Sequence, residues 1–426
     1  MNKRVFITIM IVITFCILVL GGIVCYQKFF KTSNQTSKAS VQPQNIEENS
    51  FNSKIIKSVN DIEDNNYLIS PYSMEIALNM LREGANGDTK TQIDNLIGTR
   101  TINNIKIKDR INVANAVFIK NKYKSNVQKD YYQKLKTNYN AEILYDEFNT
   151  PKVLNDWTNK ETNGMIPALL KDIPERFVMG IANALAIDVD WSVKFDCQGT
   201  ARANFTKIDN EVLEVSMMSN TYKGEAKYFE TEDAKGVILP YKSYTDNGEE
   251  TYEDANNLEF IGILPNGNIK EYVNNITSQT INNIDNKAKE TSNSYRLVLN
   301  LPMFSYDYDF TKFKESLIDL GVEDAFNEEH ADLSNMIQIK DTNVCVSDAI
   351  HKTHIDLNEK GTKAAAVTAV IVTDATAVQD KKPTIINLKF NKPFAYIIRD
   401  KKTNEMLFFG VVYEPSKWNG STCSNE

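Results

Sequence analysis

The stretch from Asn358 to Asp380, NEKGTKAAAVTAVIVTDATAVQD, decides how the rest of this chain is interpreted. After Gly361 it contains small and β-branched residues, and Lys363 is its only charge before Asp374. Side chains alternate between the two faces of a strand, so one uncharged face carries Thr362, Ala364, Ala366, Thr368, Val370 and Val372. Taken alone, the stretch favours an ordinary core strand, although nothing in it requires that strand to stay in a sheet.

The overall composition limits the size of the core and excludes one class of partner. The chain has 426 residues, of which 42% are hydrophobic, and this is enough for one large core or for two domains of ordinary size. The formal net charge is −8. Proteins that bind nucleic acids generally carry a basic face, so we expect no nucleic-acid partner.

The N-terminus carries a long apolar segment. Val5 to Tyr26 contains no charged residue and follows Lys3 and Arg4, and about 20 apolar residues suffice to cross a hydrocarbon layer roughly 30 Å thick. We predict a signal anchor at residues 5–26, with residues 1–4 in the cytoplasm and the domain on the extracellular side of the cell membrane. Cleavage would release a secreted protein instead, but the exit from this segment lacks the usual small residues of a cleavage site.

The remainder of the chain divides into a stalk, a domain and a tail. Residues 27–49 are mostly polar, which predicts a flexible stalk. Residues 50–417 mix helical and strand patterns without a regular βαβ alternation, which predicts one α+β domain, and residues 418–426 form a polar tail. The five cysteines are sparse, and Cys16 and Cys25 lie in or beside the apolar segment, so we predict no disulfide framework.

The chain lacks the motifs of an enzyme. It has three histidines and no HExxH, CxxC, P-loop or GxSxG pattern. His351 and His354 lie in an apolar context that predicts a strand, where they face opposite ways and do not form a metal site. We therefore predict no catalytic activity, metal or cofactor, and interpret His351 as a hydrogen-bonded structural histidine.

Several motifs follow one another between about residues 50 and 415. They are Asn66–Ser73, Asn183-Ala184 with Trp191, Val215–Met218, Leu301–Phe304, Ala331–Ser334, Asn391–Phe394 and Phe409-Gly410. Their order resembles the serpins, of the bacterial type. This resemblance implies a single domain with a large central mixed sheet, smaller sheets and about eight to nine helices. One departure is that Ala186 to Asp190 replaces an aromatic pair, Lys and Gly of the family.

The resemblance implies that the protein is a suicide inhibitor of proteases. In serpins an exposed reactive loop, here residues 359–389, is cut, and its upstream half inserts into the central sheet with the protease covalently attached. The residues that match the family's hinge are Glu359, Gly361, Thr362, Ala364, Ala365, Ala366 and Thr368. The residues that match the polar shutter beneath the sheet are Ser70, Ser73, Asn183 and His351, and Trp191 matches the breach tryptophan.

The reactive bond follows from the usual length of the family's hinge. Counting from Gly361 places the cut between Ala375 and Thr376, with Asp374 as the alternative. A small residue at the cut favours elastase-like or subtilisin-like serine proteases as partners, while an Asp favours a protease selective for Asp, and cysteine proteases remain possible targets. We expect a monomer. The alternative function is a non-inhibitory protein that uses the serpin fold for binding or adhesion.

Overall fold

Helix and strand assignments come from a computed structural model. It describes residues 50–100, 102, 105, 110–174, 177–245, 248–251, 258–340, 344–362 and 382–420. The described residues belong to one compact unit that runs from Glu47 to Glu426. The apolar segment at residues 5–26 lies outside the described residues, and within them no helix is long and apolar enough to cross a membrane.

Eight α-helices occur among the described residues. They are α1 Phe51–Ile62, α2 Pro71–Gly84, α3 Gly87–Ile97, α4 Lys129–Tyr139, α5 Lys152–Glu161, α6 Ile269–Asn274, α7 Ser278–Lys287 and α8 Phe313–Asp319. The start of α2 follows from its sequence, because Ser70 Oγ accepts a hydrogen bond from Ser73 N at 3.1 Å and Pro71 occupies the first turn. At its other end, Gly84 packs so closely on Met336 that a Cβ would lie 2.5 Å from the Met336 Cβ.

Twenty strands connect these helices. They are β1 Tyr67–Ile69, β2 Ile111–Lys120, β3 Glu142–Asp146, β4 Met179–Ile187, β5 Val189–Asp190, β6 Ala201–Thr206, β7 Val212–Tyr222, β8 Lys227–Glu230, β9 Ala234–Pro240, β10 Ser243–Tyr244, β11 Glu250–Thr251, β12 Leu258–Pro265, β13 Lys289–Glu290, β14 Tyr295–Pro302, β15 Phe304–Asp309, β16 Lys352–Leu357, β17 Gly361–Thr362, β18 Thr384–Lys389, β19 Phe394–Asp400 and β20 Glu405–Val412. Irregular alternation of helices and strands confirms the predicted α+β class.

A seven-stranded antiparallel sheet lies in the hydrophobic core. Its strand order is β1-β20-β19-β12-β9-β8-β13, and every residue of β12, β19 and β20 is buried. A strand that is buried on both faces usually has a continuous apolar sequence, and most residues of these three strands are apolar. The exceptions are four buried charged residues, Glu259 in β12, Arg399 and Asp400 in β19, and Glu405 in β20. The charge of Arg399 is paired with Glu259 and with Asp285 in α7.

The central sheet consists of two parts. One part has the strand order β3-β2-β4 and the other β15-β16-β17-β5, and only Asp188 separates β4 from β5. The β2–β3 pair is parallel and the other pairs are antiparallel, so the sheet is mixed as predicted. Within the described residues, β4 pairs with β2 and not with β16. Of the strands that the structure describes, β17 is the one that lies between β5 and β16, at one end of the sheet.

The cysteines differ from the sequence prediction at one position. We predicted no disulfide framework from the sequence, but Cys197 is disulfide-bonded. Cys345 is free and half-buried, and burial raises the pKa of its thiol.

Candidate functional site: the hinge and the shutter

Two residues of the predicted hinge lie in the central sheet. Gly361 pairs with Asp190 of β5, and Thr362 pairs with Val189 on one side and Leu357 of β16 on the other. The side chain of Thr362 is buried. These two residues form the only described link between β5 and β16, at one end of the gap between β4 and β16.

Gly361 fits this position because it lacks a side chain. A Cβ at this residue would lie 2.1 Å from the Val189 carbonyl oxygen and 2.7 Å from the Asp190 Cα. Both distances are to backbone atoms, which cannot rotate away as a flexible side chain would. Close approach of two backbones is one of the structural uses of glycine.

Thr362 is held by Tyr241, the residue that follows β9. Thr362 Oγ1 and Tyr241 Oη are 2.7 Å apart and share a hydrogen bond. Tyr241 is buried, which raises the pKa of its phenol, and its ring stacks on Trp191 with 4.6 Å between centroids. The Thr362 hydroxyl and the Tyr241 hydroxyl therefore satisfy each other. An aliphatic side chain at position 362 would leave the Tyr241 hydroxyl without this hydrogen-bond partner.

Trp191 orients the turn that leads into the hinge. Its indole Nε1 donates to the carbonyl of Asn358 at 2.9 Å, and its backbone N donates to the carbonyl of Lys360 at 2.9 Å. Trp191 is among the largest fully buried side chains. Two hydrogen bonds to residues 358–360, made from one buried aromatic residue, fix the direction in which β17 leaves the turn.

Glu359 is buried at the same turn. One carboxylate oxygen accepts a hydrogen bond from Thr200 Oγ1 at 2.7 Å, and the other has no partner among the described residues. A buried carboxylate with one unsatisfied oxygen is costly.

Three of the predicted shutter residues form one hydrogen-bonded chain. Ser70 Oγ accepts from Ser73 N, and the backbone N of Ser70 donates to His351 Nε2 at 3.0 Å. Burial lowers the pKa of His351 from 6.5 to about 3, so the ring is neutral at physiological pH. Because Nε2 accepts a hydrogen bond, the proton of the neutral ring is on Nδ1.

The fourth predicted shutter residue bonds elsewhere. Asn183 Nδ2 donates to Asn115 Oδ1 at 2.7 Å on the neighbouring strand β2, and Asn115 in turn donates to the carbonyl of Tyr139 at 2.8 Å. Asn183, Ser73 and His351 line the same cavity. Asn183 makes no direct hydrogen bond to Ser70, Ser73 or His351.

Part of the predicted site lies outside the described residues. This applies to Ala364, Ala365, Ala366 and Thr368 in the hinge and to Asp374, Ala375 and Thr376 at the reactive bond. The described chain resumes at Lys382, and β18 pairs in parallel with β14.

Sequence reasoning did not identify three residues of this site, Tyr241, Thr200 and Asn115. Tyr241 follows an apolar run and is 121 positions from Thr362. Thr200 is 159 positions from Glu359, and Asn115 is 68 positions from Asn183. No local signal marks them, because each acquires its role from a partner that only folding brings near.

The fold and the predicted hinge together define a class of protein. In this class, a short strand, here Gly361 and Thr362, lies between two longer strands at one end of the central sheet. The family model for serpins, described as serine protease inhibitors, matches residues 46–415. The chain therefore belongs to the serpin family.

Relatives and solved structures agree with this assignment. The chain is 30% identical over 379 residues to an uncharacterized serpin-like protein of Methanosarcina mazei, with 83% of this chain and 82% of the relative covered. It is 28% identical over 379 residues to human alpha-1-antichymotrypsin, with 83% and 84% covered. The crystal structure of the thermophilic serpin tengpin in its native state matches with a TM-score of 0.73 at 29% identity, covering 86% of this chain and 93% of tengpin.

Proposed function

We propose that this protein is a suicide inhibitor of serine endopeptidases, and also of cysteine endopeptidases, that traps its target by inserting the reactive loop at residues 359–389. The observation that carries the proposal is β17. It lies between β5 and β16 and is antiparallel to both. Extending β17 beyond Thr362 would place a new strand in the gap between β4 and β16, and that strand would be bonded on both sides.

The hinge has the composition that such an extension needs. Thr362 is buried, so strand alternation directs Ala364, Ala366 and Thr368 to the same face. None of these residues brings a charge into the interior, where an unpaired charge is costly. Lys363 would lie on the opposite face.

The inhibitory reaction begins as proteolysis of the bond from Ala375 to Thr376, with Asp374 as the alternative position. The nucleophile of the protease attacks the Ala375 carbonyl carbon, the Ala375–Thr376 amide bond breaks, and the amine of Thr376 leaves with a proton. An acyl ester, or a thioester for a cysteine protease, then joins the protease to Ala375. Insertion of the arm moves the attached protease before water can hydrolyse this bond.

The small side chain of Ala375 favours elastase-like or subtilisin-like targets. We also propose that the N-terminal segment at residues 5–26 tethers the domain to the outer side of the cell membrane, which is supported by its uncharged length. Cleavage of that segment would give a secreted inhibitor. Either location gives the loop access to extracellular proteases.

The test mixes the compact unit, residues 47–426, with an elastase-like and a subtilisin-like protease. We expect a complex that survives boiling in detergent, and mass spectrometry of the released C-terminal peptide should place the cut after Ala375. Cleavage of the loop by every protease tried, with the protease released active and no stable complex, contradicts inhibition and favours the binding function.

A further inference from the structure

A surface rich in lysine and tyrosine lies beside β3, which is at the edge of its part of the central sheet among the described strands. It is formed by a short 3₁₀ helix, Asn121–Asn126, by α4 and by β3, and both helices are in contact with β3. We call it the lysine–tyrosine surface and define it by six side chains, which are Lys122, Lys124, Lys129, Tyr132, Lys136 and Tyr145. None of the six belongs to the predicted hinge or shutter.

Tyr145 connects the three elements of this surface. The Lys124 ammonium, from the 3₁₀ helix, lies 4.8 Å from the centre of the Tyr145 ring. Burial raises the pKa of the Tyr145 phenol, and the nearby Tyr132 phenol of α4 raises it further. The Lys122 ammonium lies 4.6 Å from the centre of the Tyr123 ring. Because ammonium groups are attracted to the faces of aromatic rings, these contacts hold two cations at the surface.

One face of α4 supplies the rest of the surface. Lys129, Tyr132 and Lys136 follow the spacing i, i+3 and i+7, which places them on the same side of a helix. All three are exposed, and Tyr132, at 44%, is the one aromatic residue among the exposed large hydrophobic residues that the structure describes. Lys134 lies on another side of α4, where its ammonium pairs with Glu83 at 2.9 Å. The helix therefore presents a tyrosine between two lysines to solvent.

The lysine–tyrosine surface carries unpaired positive charge. Its four lysines form no ion pair with the carboxylates that the structure describes, and they are Lys122, Lys124, Lys129 and Lys136. Asp146, at the end of β3, accepts a hydrogen bond from the backbone N of Phe148 at 2.8 Å. Glu147 accepts one from Asn121 Nδ2 at 3.1 Å, and Asp130 projects from another side of α4. On a protein with a formal net charge of −8, this cluster of lysines is a local exception.

This combination of side chains fits the surface of a lipid bilayer. Clusters of lysine bind anionic lipid head groups through their charge. Tyrosine is enriched where a bilayer meets water, because its ring is apolar and its hydroxyl remains hydrated. The surface has no arginine, whose planar guanidinium recognises a single phosphate in a fixed geometry. It is therefore suited to many mobile head groups and not to one bound anion.

We propose that the lysine–tyrosine surface docks the domain on a lipid bilayer that carries anionic phosphate head groups. Its four lysines lie against the lipid phosphates. The Tyr132 ring enters the boundary between the head groups and the acyl chains.

The docking rests in part on the proposed membrane tether. A flexible stalk of residues 27–49 would have a root-mean-square length of about 25 Å. A domain held at this distance meets the bilayer at a high effective concentration, so an affinity that is weak for the free domain suffices. Docking then fixes which side of the inhibitor faces the membrane.

Vesicle co-sedimentation of the compact unit, residues 47–426, tests the docking without the tether. We expect binding to vesicles of phosphatidylglycerol and phosphatidylcholine, and no binding to vesicles of phosphatidylcholine alone. Binding should weaken as the ionic strength rises from about 0.01 M to about 0.15 M, because the Debye length falls from about 30 Å to about 8 Å.

Single substitutions test which residues make the contact. Lys129→Gln and Lys136→Gln should each weaken vesicle binding about fivefold, the value of one lysine at an anionic surface. Tyr132→Ser should weaken it about two- to fivefold, because the exposed part of the ring no longer enters the boundary. Lys134→Gln is the matched control on the same helix, and since Lys134 lies on another side, it should change binding less than about twofold.

Three results overturn the docking. They are no binding of the wild type to anionic vesicles, equal binding to both kinds of vesicle, and equal losses in Lys129→Gln and Lys134→Gln. Dextran sulfate, a soluble anionic polymer, represents the other class of partner. Tighter binding to dextran sulfate than to anionic vesicles, compared per charged group, would replace the lipid by a polymer and overturn the proposal.

Detergent-stable protease complexes are measured on the same preparations. Lys129→Gln should form them as the wild type does, because the lysine–tyrosine surface is separate from the hinge. Absence of complexes in every preparation contradicts the proposed inhibition and leaves the docking unaffected. Absence of vesicle binding overturns the docking and does not bear on whether protease complexes form.

Discussion

At the scale of single residues, the first concern is which side chains fit at Gly361 and Thr362. Gly361 excludes a Cβ because the backbone of β5 is in contact with it. Thr362 excludes bulk and charge because its side chain is buried, and it adds a hydroxyl that bonds with Tyr241. The two positions therefore tolerate only small residues, and the second favours a polar one.

The first prediction concerns the direction in which hinge residues face. Thr362→Arg should convert the inhibitor into a substrate, because a cation would have to enter the interior of the sheet without a partner. The measurement is the fraction of protease that ends in a detergent-stable complex, which we expect to fall at least tenfold. Lys363→Arg is the matched control one position away and should retain complex formation. Equal inhibition by both variants contradicts insertion with Thr362 inward.

The second prediction concerns pH and follows from the burial of His351. The folded-state pKa of about 3 lies below the unfolded value of 6.5, so unfolded chains bind a proton that folded chains do not over this interval. Stability from this group is complete above pH 6.5 and is lost as pH falls towards 3. Between pH 7 and pH 5 the loss should be about 2 kcal/mol.

Urea denaturation at several pH values measures this loss. His351→Gln keeps an acceptor for Ser70 N but does not titrate, so its loss of unfolding free energy between pH 7 and pH 5 should be smaller than that of the wild type by about 2 kcal/mol. His330→Gln is the control, because the His330 side chain is 62% exposed. An identical slope in the wild type and in His351→Gln would show that His351 is accessible to protons in the fold.

At the scale of elements, a buried ion network joins the sheet to a helix. Arg399 in β19 donates to Glu259 in β12 at 2.8 Å through Nε and to Asp285 in α7 at 2.9 Å through Nη1. Only 3% of the Arg399 side chain and 8% of the Glu259 side chain are exposed. Because water hydrates neither the Arg399 nor the Glu259 side chain well, each charge is stabilised mainly by the opposite charge beside it.

The third prediction is that Arg399→Met destabilises the fold by about 3–5 kcal/mol, because it leaves a buried carboxylate without its partner. Chemical denaturation measures the change in unfolding free energy. Arg202→Met removes the same charge from an exposed pair with Glu214, whose side chains are 60% and 55% exposed. It should cost at most about 1 kcal/mol, and a similar cost for the two variants would refute the role of burial.

At the scale of the whole molecule, the described strands leave a gap in the central sheet. β4 and β16 lie on the two sides of the gap, and the described part of β17 consists of Gly361 and Thr362. Backbone groups along a gap have unused hydrogen-bonding capacity, and a strand added there would satisfy both edges. The uncut protein is therefore expected to be less stable than a form that contains the additional strand.

The fourth prediction follows from this gap. Cutting the loop between residues 363 and 381 with a protease that is not trapped should raise the melting temperature markedly, because the upstream arm can then complete the sheet. Calorimetry of intact and cut protein measures the difference. An unchanged melting temperature would contradict insertion and favour a non-inhibitory binding or adhesion protein.

The fold was largely predictable from the sequence, and the site only in part. Local patterns such as Ser70 with Pro71 at the start of α2 depend on neighbouring residues, and they indicated the helices and strands of an α+β domain. The small residues after Gly361 by themselves predicted an ordinary strand, and only the resemblance to the serpins led to their interpretation as a hinge. Helix and strand formation depends on the propensity of each residue and on the spacing of apolar residues, and both can be read from the sequence.

Only the tertiary structure decided which groups meet that hinge. Tyr241, Thr200 and Asn115 are distant in sequence from Thr362, Glu359 and Asn183, and their roles depend on how the sheets pack. The neutral state of His351 depends on complete burial, and the cavity beside it exists because α2, β4 and α8 do not fill the space below the gap. Burial, pairing and cavities are properties of packing between distant segments, so no local pattern encodes them.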